Sequence, residues 1–521
     1  MREVVLGGVR ERGGDQLLLG GEVVEDQRVA HAEHRGHVGD PHRRHAPGLD
    51  LLDGGPQQLL APLSHAQPQS RHAVTLTGVA REAIELPSRT ENPHREGRAG
   101  RRRTNRRPSP VAAGSVHNGN LTDPTGGTVS GFRLPSSGLR ALRPEAFGAD
   151  PDGARMARIR RSPHFKDGVF QNPGGPARTR PSGSMLDFAK LYFDKQERPR
   201  RSPQGTVPVH PTTYADLARP AATGLRLTWL GHSSVLAEID GQRVLFDPVW
   251  GERCSPFPFA GPARLHPAPL PLAALGPVDV VVISHDHYDH LDMPTIKALA
   301  GTDTLFTVPL GVGAHLERWG VSADRLRELD WHEATKVGGL TLTATPARHF
   351  CGRGLRNTQH TLWASWVVAG AEHRVYHSGD TGYFEGFKDI GAEHGPFDAT
   401  MIQIGAYSEF WPDIHMTPEE GVRAHLDLQG GAPHGALLPI HWATFNLAPH
   451  AWAEPGEWTL AAGEAVGQAV ACPVPGLPFE PAGEIPARPW WRDVSQTLTR
   501  EWPAPELALR TSRGLDLVAE D

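Results

Sequence analysis

The stretch Val278–Asp292, VDVVVISHDHYDHLD, constrains the fold of this chain more than any other. Its first half is a run of β-branched apolar residues, Val280 to Ile283, with the composition of a buried strand and too few residues for a buried helix. Its second half brings His285, His287, Asp289 and His290 close together, with only Asp286 and Tyr288 between them. Imidazole and carboxylate are the harder kind of zinc ligand, and no thiolate is among them. A strand that empties into a loop of ligands reads as half of a metal site, and the rest of the chain has to supply the other half.

Three further ligands stand where apolar runs stop, the place where α/β folds gather function. LTLTATPAR ends in His349, HRVYHSGD in Asp380 and ALLPI in His441. Together with the first cluster they divide between two metals. One ion takes His285, His287, His349 and an oxygen of Asp380; the other takes Asp289, His290, His441 and the second oxygen of Asp380. Asp380 bridges because a carboxylate has two oxygens to offer and imidazole does not. The expected cofactor is a pair of Zn2+ ions, in a ligand set that also accepts iron or manganese. Water held between two such ions becomes a hydroxide nucleophile near neutral pH, which makes Asp289 and Asp380 catalytic as well as ligating. His232 and Asp247 also end strands, and read either as an outer shell of this site or as residues that hold loops.

The surrounding pattern supplies the scaffold. LRLTWLG (225–231), SSVLAEID (233–240) and RVLFDPVW (243–250) read as strands, with a turn at Gly241. MPTIKALA (293–300) and GAHLERWG (313–320) have helical spacing, and TLFTVPLG (304–311) lies between them as a strand. RLRELDWHE, LTLTATPARHF, WASWVVAG, HRVYHSGD, ATMIQIGAY and GALLPIHW alternate strands and turns. TPEEGVRAHLDL (417–428) is a helix with Thr417 as N-cap and Glu420 completing a capping box. Two sheets packed face to face with helices outside accommodate this α/β order.

Residues 1–155 differ from the rest. They are rich in Gly, Arg, His and Pro and show no sustained period, which suits a disordered extension or one upstream of the true start. Met156 is a candidate internal start, so the expected divisions are 1–155 as extension, 156–500 as the folded domain and 501–521 as a tail. GRAGRRRTNRRPSP (97–110) offers a basic arm for RNA or lipid, but the net charge of −6 argues against a nucleic-acid-binding protein as a whole. SMLDFAKLYFDKQERPRR (184–201) reads as a short amphipathic helix that packs on its own domain or lies on lipid. Cys254, Cys351 and Cys472 are far apart and in no CxxC pair, which suits a reducing compartment. Cys351 has no evident base and reads as a partly buried thiol near the metal site. Without a secretory pattern or an apolar run of about 20 residues, the expected location is the cytoplasm, with room for peripheral membrane contact.

HxHxDH followed by a distant His, a Gly-Asp-Thr-Gly and a last His resembles the metallo-β-lactamase superfamily. Within it, FKDGVFQNP, TWLGHSSVLAEID, FDPVW, ISHDHYDHLD, SGDTGY, FDATMIQIGAY, HMTPEEGVRAH and IHWATFNLA resemble the N-acylphosphatidylethanolamine-hydrolysing phospholipase D family. The resemblance runs from about Ser162 to about Pro455. It implies a four-layer αββα sandwich, metal-dependent hydrolysis, and a phospholipid substrate cleaved by a phosphodiesterase of phospholipase D type. It implies that His415 lines the substrate side of the site, where the residue pattern alone reads it equally as fixing the start of the next helix. It also admits a homodimer. SEFWPDI (408–414) and the lead-in around 174–205 depart from the animal form of the family, so the acyl-lipid substrate is the weaker implication. The alternatives are a lactonase or small-ester esterase using the same hydroxide, and a nucleic-acid-binding protein using the basic arm, which the full ligand set opposes.

Overall fold

The computed structural model describes residues 144–177, 190, 194–195, 198–354 and 357–494. The basic arm, most of the 184–201 stretch and the 501–521 tail lie outside the described residues.

The chain enters through a helix α1 (Gly153–Ile159) and a small hairpin of β1 (Phe165–Lys166) and β2 (Val169–Phe170), turned at Asp167-Gly168. A short helix α2 (Tyr214–Ala218) follows. Then come β3 (Leu225–Gly231), β4 (Ser234–Ile239) and β5 (Gln242–Phe246). The β4–β5 turn is Asp240-Gly241, both with positive φ (48° and 81°), the backbone a two-residue hairpin loop requires. β6 (Val280–Val282), α3 (Met293–Ala300), β7 (Leu305–Pro309), α4 (Gly313–Arg318) and β8 (Leu326–Leu329) alternate strand and helix. β9 (Ala334–Val337), β10 (Leu340–Thr345), β11 (Ser365–Ala369) and β12 (Arg374–His377) form a meander. α5 (Gly386–His394), β13 (Ala399–Gln403), α6 (Pro418–Leu428), β14 (Ala436–Ile440), α7 (Glu454–Ala465) and β15 (Pro478–Phe479) complete the described chain.

Seven strands form one sheet in the order β15-β3-β4-β5-β6-β7-β8, and six form the other in the order β14-β13-β12-β11-β10-β9. In the first, β5, β6, β7 and β8 run parallel; in the second, β12, β13 and β14 do. Period-two alternation decides which way each side chain faces. Val280 and Val282 join the core that contains Leu342 and Trp366 of the opposite sheet. Val281 and Ile283 face the other way, against Ile296 and Leu299 of α3 and Leu316 of α4. β6 is therefore buried on both faces, which is why it reads as an unbroken apolar run. α6 and α5 carry Val422, Leu428, Phe387 and Ile390 into the core with Met401 and Leu438, on the outer side of the second sheet. The result is the expected αββα sandwich.

The expected boundary at Met156 falls inside α1, because packing begins earlier. Lys297 pairs with Glu145 at 2.9 Å, and Trp319 donates to the Glu145 carbonyl at 2.9 Å. The capping box at Thr417 and Glu420 is present as expected. The helices α5 and α7 stand where no helix was anticipated. No helix among the described residues is long and apolar enough to cross a membrane.

Candidate metal centre

Parallel strands end together, so the loops after β6, β12, β13 and β14 meet at one edge of the sandwich. Gly379 allows a close approach: its φ is +54°, and a Cβ there would lie 2.6 Å from the Ser284 side chain. The loop that carries Asp380 is thereby pressed onto the loop that carries the histidines.

Two donor groups result, each with its atoms within 4.8 Å of one another. The first is His285, His287, His349 and Asp380. His287 Nδ1 lies 2.9 Å from His285 Nε2 and 3.2 Å from His349 Nε2. Asp380 Oδ2 lies 3.8 and 3.7 Å from the same two Nε2 atoms. The second group is His232, Asp289, His290 and His441. The three Nε2 atoms surround Asp289 Oδ2 at 2.9, 3.4 and 3.2 Å respectively. Oδ2 of Asp380 also lies 3.2 Å from His290 and 3.0 Å from His441. One oxygen of Asp380 thus faces both groups, where one oxygen for each was expected, because both groups close around the same atom. Its Oδ1 is buried without a hydrogen-bond partner, as is Nε2 of His290.

These spacings fit a cation. Tetrahedral bonds of 2.0–2.1 Å set ligand atoms about 3.3 Å apart. The electrostatics agree. Burial and the neighbouring imidazoles hold His285 well below its usual range, and burial does the same for His349, so both present neutral nitrogens. Burial also opposes the charge on Asp289 and Asp380, but the facing histidines outweigh it and hold both carboxyls well below theirs. The carboxylates in turn overcome burial at His441 and push it up to about 9. Buried carboxylates that draw this much positive charge are what a metal ion satisfies.

Second partners fix the ring orientations. Asp247 Oδ2 sits 2.8 Å from His290 Nδ1, and its carboxylate accepts from the backbone N and hydroxyl of Ser284 at 2.7 and 2.6 Å. Asp247 therefore holds a proposed ligand rather than only a loop. His349 Nδ1 faces the Ile414 carbonyl at 3.1 Å. Positive φ at His232, Asp247 and His441 (50°, 38° and 66°) places strained backbone at the site itself, a cost of about 1–3 kcal/mol each that the surrounding contacts must hold in place.

A family model described as a beta-lactamase superfamily domain matches residues 242–442. An uncharacterized protein of Mycobacterium tuberculosis is 50% identical over 367 residues, which cover 68% of this chain and 94% of that protein. N-acyl-phosphatidylethanolamine-hydrolyzing phospholipase D 1 of Caenorhabditis elegans is 39% identical over 254 residues, covering 46% of this chain and 70% of that protein. A metal-dependent hydrolase of Metallosphaera sedula is 30% identical over 228 residues, or 43% of this chain and 86% of that protein. The chain belongs to the metallo-β-lactamase superfamily, among relatives of the N-acylphosphatidylethanolamine-hydrolysing phospholipase D family.

Within this metallo-β-lactamase domain, the His415 ring meets His349 edge-on at 5.1 Å and stacks on His441 at 5.2 Å. It forms a third donor group with Asp380 and His441. Its Nδ1 is buried without a hydrogen-bond partner, and burial lowers its pKa to about 3. Cys351 is fully buried rather than partly so; burial holds its thiol well above the usual range, and its Sγ donates to the Thr361 carbonyl at 2.7 Å. The place of His232 inside a donor group exceeds the outer-shell role anticipated for it. Asn172 was not anticipated. Its amide brackets the backbone of His349, accepting from the N at 2.9 Å and donating to the O at 2.8 Å. Only its place in the quoted QNP lead-in marked it in the sequence.

Proposed function

We propose that this protein is a dinuclear zinc phosphodiesterase of phospholipase D type, acting on N-acylphosphatidylethanolamine-like phospholipids. The observation that carries the reading is the pair of donor groups joined at Asp380 Oδ2. His285, His287, His349 and Asp380 would hold one ion, and Asp289, His290, His441 and Asp380 the other, with His232 against Asp289. When bound, such a pair supplies Lewis acidity toward a phosphoryl oxygen and lowers the pKa of nearby water. His415, neutral at physiological pH and beside both groups, would touch the phosphate or head group. Asp247 and the Ile414 carbonyl keep the rings of His290 and His349 turned toward the centre.

A cleft that includes His441 supports the lipid over a small polar ester. Leu265, Trp442, Phe445, Leu447 and Trp452 line it together with Ala406 and Ala443, and Arg201, Asn446 and His450 are polar members beside His441. Such a lining suits an apolar portion of a substrate next to His441. The similarity to the worm phospholipase agrees. Contact with a membrane would then be peripheral.

The test is metal content together with turnover of the full chain on an N-acylphosphatidylethanolamine, a generic phosphodiester and a lactone. Two bound zinc ions and fastest cleavage of the phospholipid are expected. Lactone opening that outpaces phosphodiester cleavage would replace this reading with the esterase one.

A further inference from the structure

Asp286 stands between two of the proposed ligands, His285 and His287, yet its carboxylate belongs to neither donor group. It is fully buried, and both oxygens are engaged elsewhere. Oδ1 accepts from the backbone N of Gly352 at 2.7 Å. Oδ2 accepts from the Thr361 hydroxyl at 2.9 Å and lies 3.2 Å from His315 Nε2. His315 is itself fully buried on α4, and its Nδ1 accepts from the backbone N of Ala149 at 3.0 Å. That contact leaves the proton on Nε2, so the imidazole donates to Asp286. A Cβ on Gly148 would collide with the same ring, so the backbone lies directly on it.

A second tie runs beside the first. Arg353, 2% exposed, donates from Nη1 to the carbonyls of Asp286 at 2.7 Å and Leu291 at 2.8 Å. Its Nε donates to the Ala146 carbonyl at 3.0 Å. The Tyr288 hydroxyl returns a bond to the Arg353 carbonyl at 2.7 Å, and the guanidinium sits 3.9 Å from that ring's centre. Two loops are clasped in this way: the one that carries His285 and His287, and the one that carries His349. Both ties reach residues 146–149.

We propose that Asp286 is a positioning residue for the metal centre. By binding Gly352, Thr361 and His315 it sets the spacing between the His285–His287 loop and His349, and residues 146–149 brace it through His315. The proposal rests on reading the first donor group as a metal site. An asparagine in place of Asp286 would turn an N–H toward one of the donors, leaving a buried contact of donor against donor.

The test uses the full chain loaded with Zn2+ and titrated with a chelator, with retained ions counted and thermal unfolding followed in parallel. Asp286→Asn and His315→Leu are expected to release one of the two ions at about ten- to a hundredfold lower chelator strength, with the other ion retained as in the wild type. His315→Gln, which keeps an N–H at the far end of the side chain, restores much of the affinity. His425→Leu is the control. It breaks a comparable buried bond, Thr400 Oγ1 to His425 Nδ1 at 2.7 Å, between α6 and the start of β13, and is expected to lower Tm while both ions stay. A folded Asp286→Asn chain that holds both ions as the wild type does overturns the proposal. Equal zinc loss in His425→Leu overturns it as well. If Asp286→Asn fails to fold, the contrast between His315→Leu and His315→Gln decides by the same criterion. A wild-type chain that retains no zinc overturns the metal-centre reading itself.

Discussion

Asp380 Oδ2 lies 3.0–3.8 Å from His285, His290, His349 and His441, members of both donor groups, and its replacement should be the most damaging. Asp380→Asn keeps the shape but removes the charge that faces His290 and His441. We expect loss of most bound metal and a fall in turnover of about a hundredfold or more, checked by elemental analysis and rate on the same sample. A D380N chain with two metals and wild-type turnover would remove Asp380 from the site. His415 separates binding from chemistry. His415→Ala should retain both ions and lower turnover by roughly tenfold to a hundredfold; lost zinc would make it a ligand instead. The donors themselves were legible in the sequence because each stands where an apolar run stops. Asn172 and Asp286 were not, because their roles depend on which loop folds against them, and His232 was marked only as ending a strand, not as a member of a donor group. Asn172 reaches His349 across 177 residues of chain, and no local pattern encodes that.

Elements with strong local signals appear where expected. Thr417 and Glu420 form their reciprocal cap, Asp240-Gly241 makes its turn, and α3 occupies the anticipated residues. Thr417→Ala should destabilise by about 1 kcal/mol in urea denaturation, the worth of one N-cap. α5 and α7 escaped notice for the opposite reason. α5 contains Gly391, normally a poor helix residue. It is there because α6 passes so close that a Cβ would lie 2.5 Å from the Asp427 carbonyl oxygen. α7 contains Gly456 and Gly463, which meet Trp442 and Val470 in the same way. Tertiary packing has overridden propensity in both. α6 also carries a pH signature. Burial lowers the pKa of His425 to about 4. Between that value and 6.5 the unfolded chain takes up a proton the folded chain refuses, so stability falls as pH falls. From pH 7 to pH 5 the loss from this group is about 2 kcal/mol. Denaturation at the two pH values should show a shallower drop in His425→Gln than in the wild type.

At the scale of the molecule, the sandwich brings two half-sites together. His232 follows β3 and the HxHxDH loop follows β6 in one sheet; His349, Asp380 and His441 follow β10, β12 and β14 in the other. A cation that binds there binds the folded chain and not the unfolded one. Zinc at a hundred times its dissociation constant should add about 2.7 kcal/mol per site, read as a rise in Tm that a chelator reverses. Asp289 and His441, partners in one donor group, lie 152 residues apart. During synthesis, the early histidines therefore emerge long before the last strand exists to close the centre around them. Until β14 is made and docked, the exposed HxHxDH loop can offer a passing ion only a partial, exchange-labile coordination. Completion of the second donor group is thus deferred to the finished fold, and a chain truncated by a stop codon before β14 would lack His441 and could not complete that group.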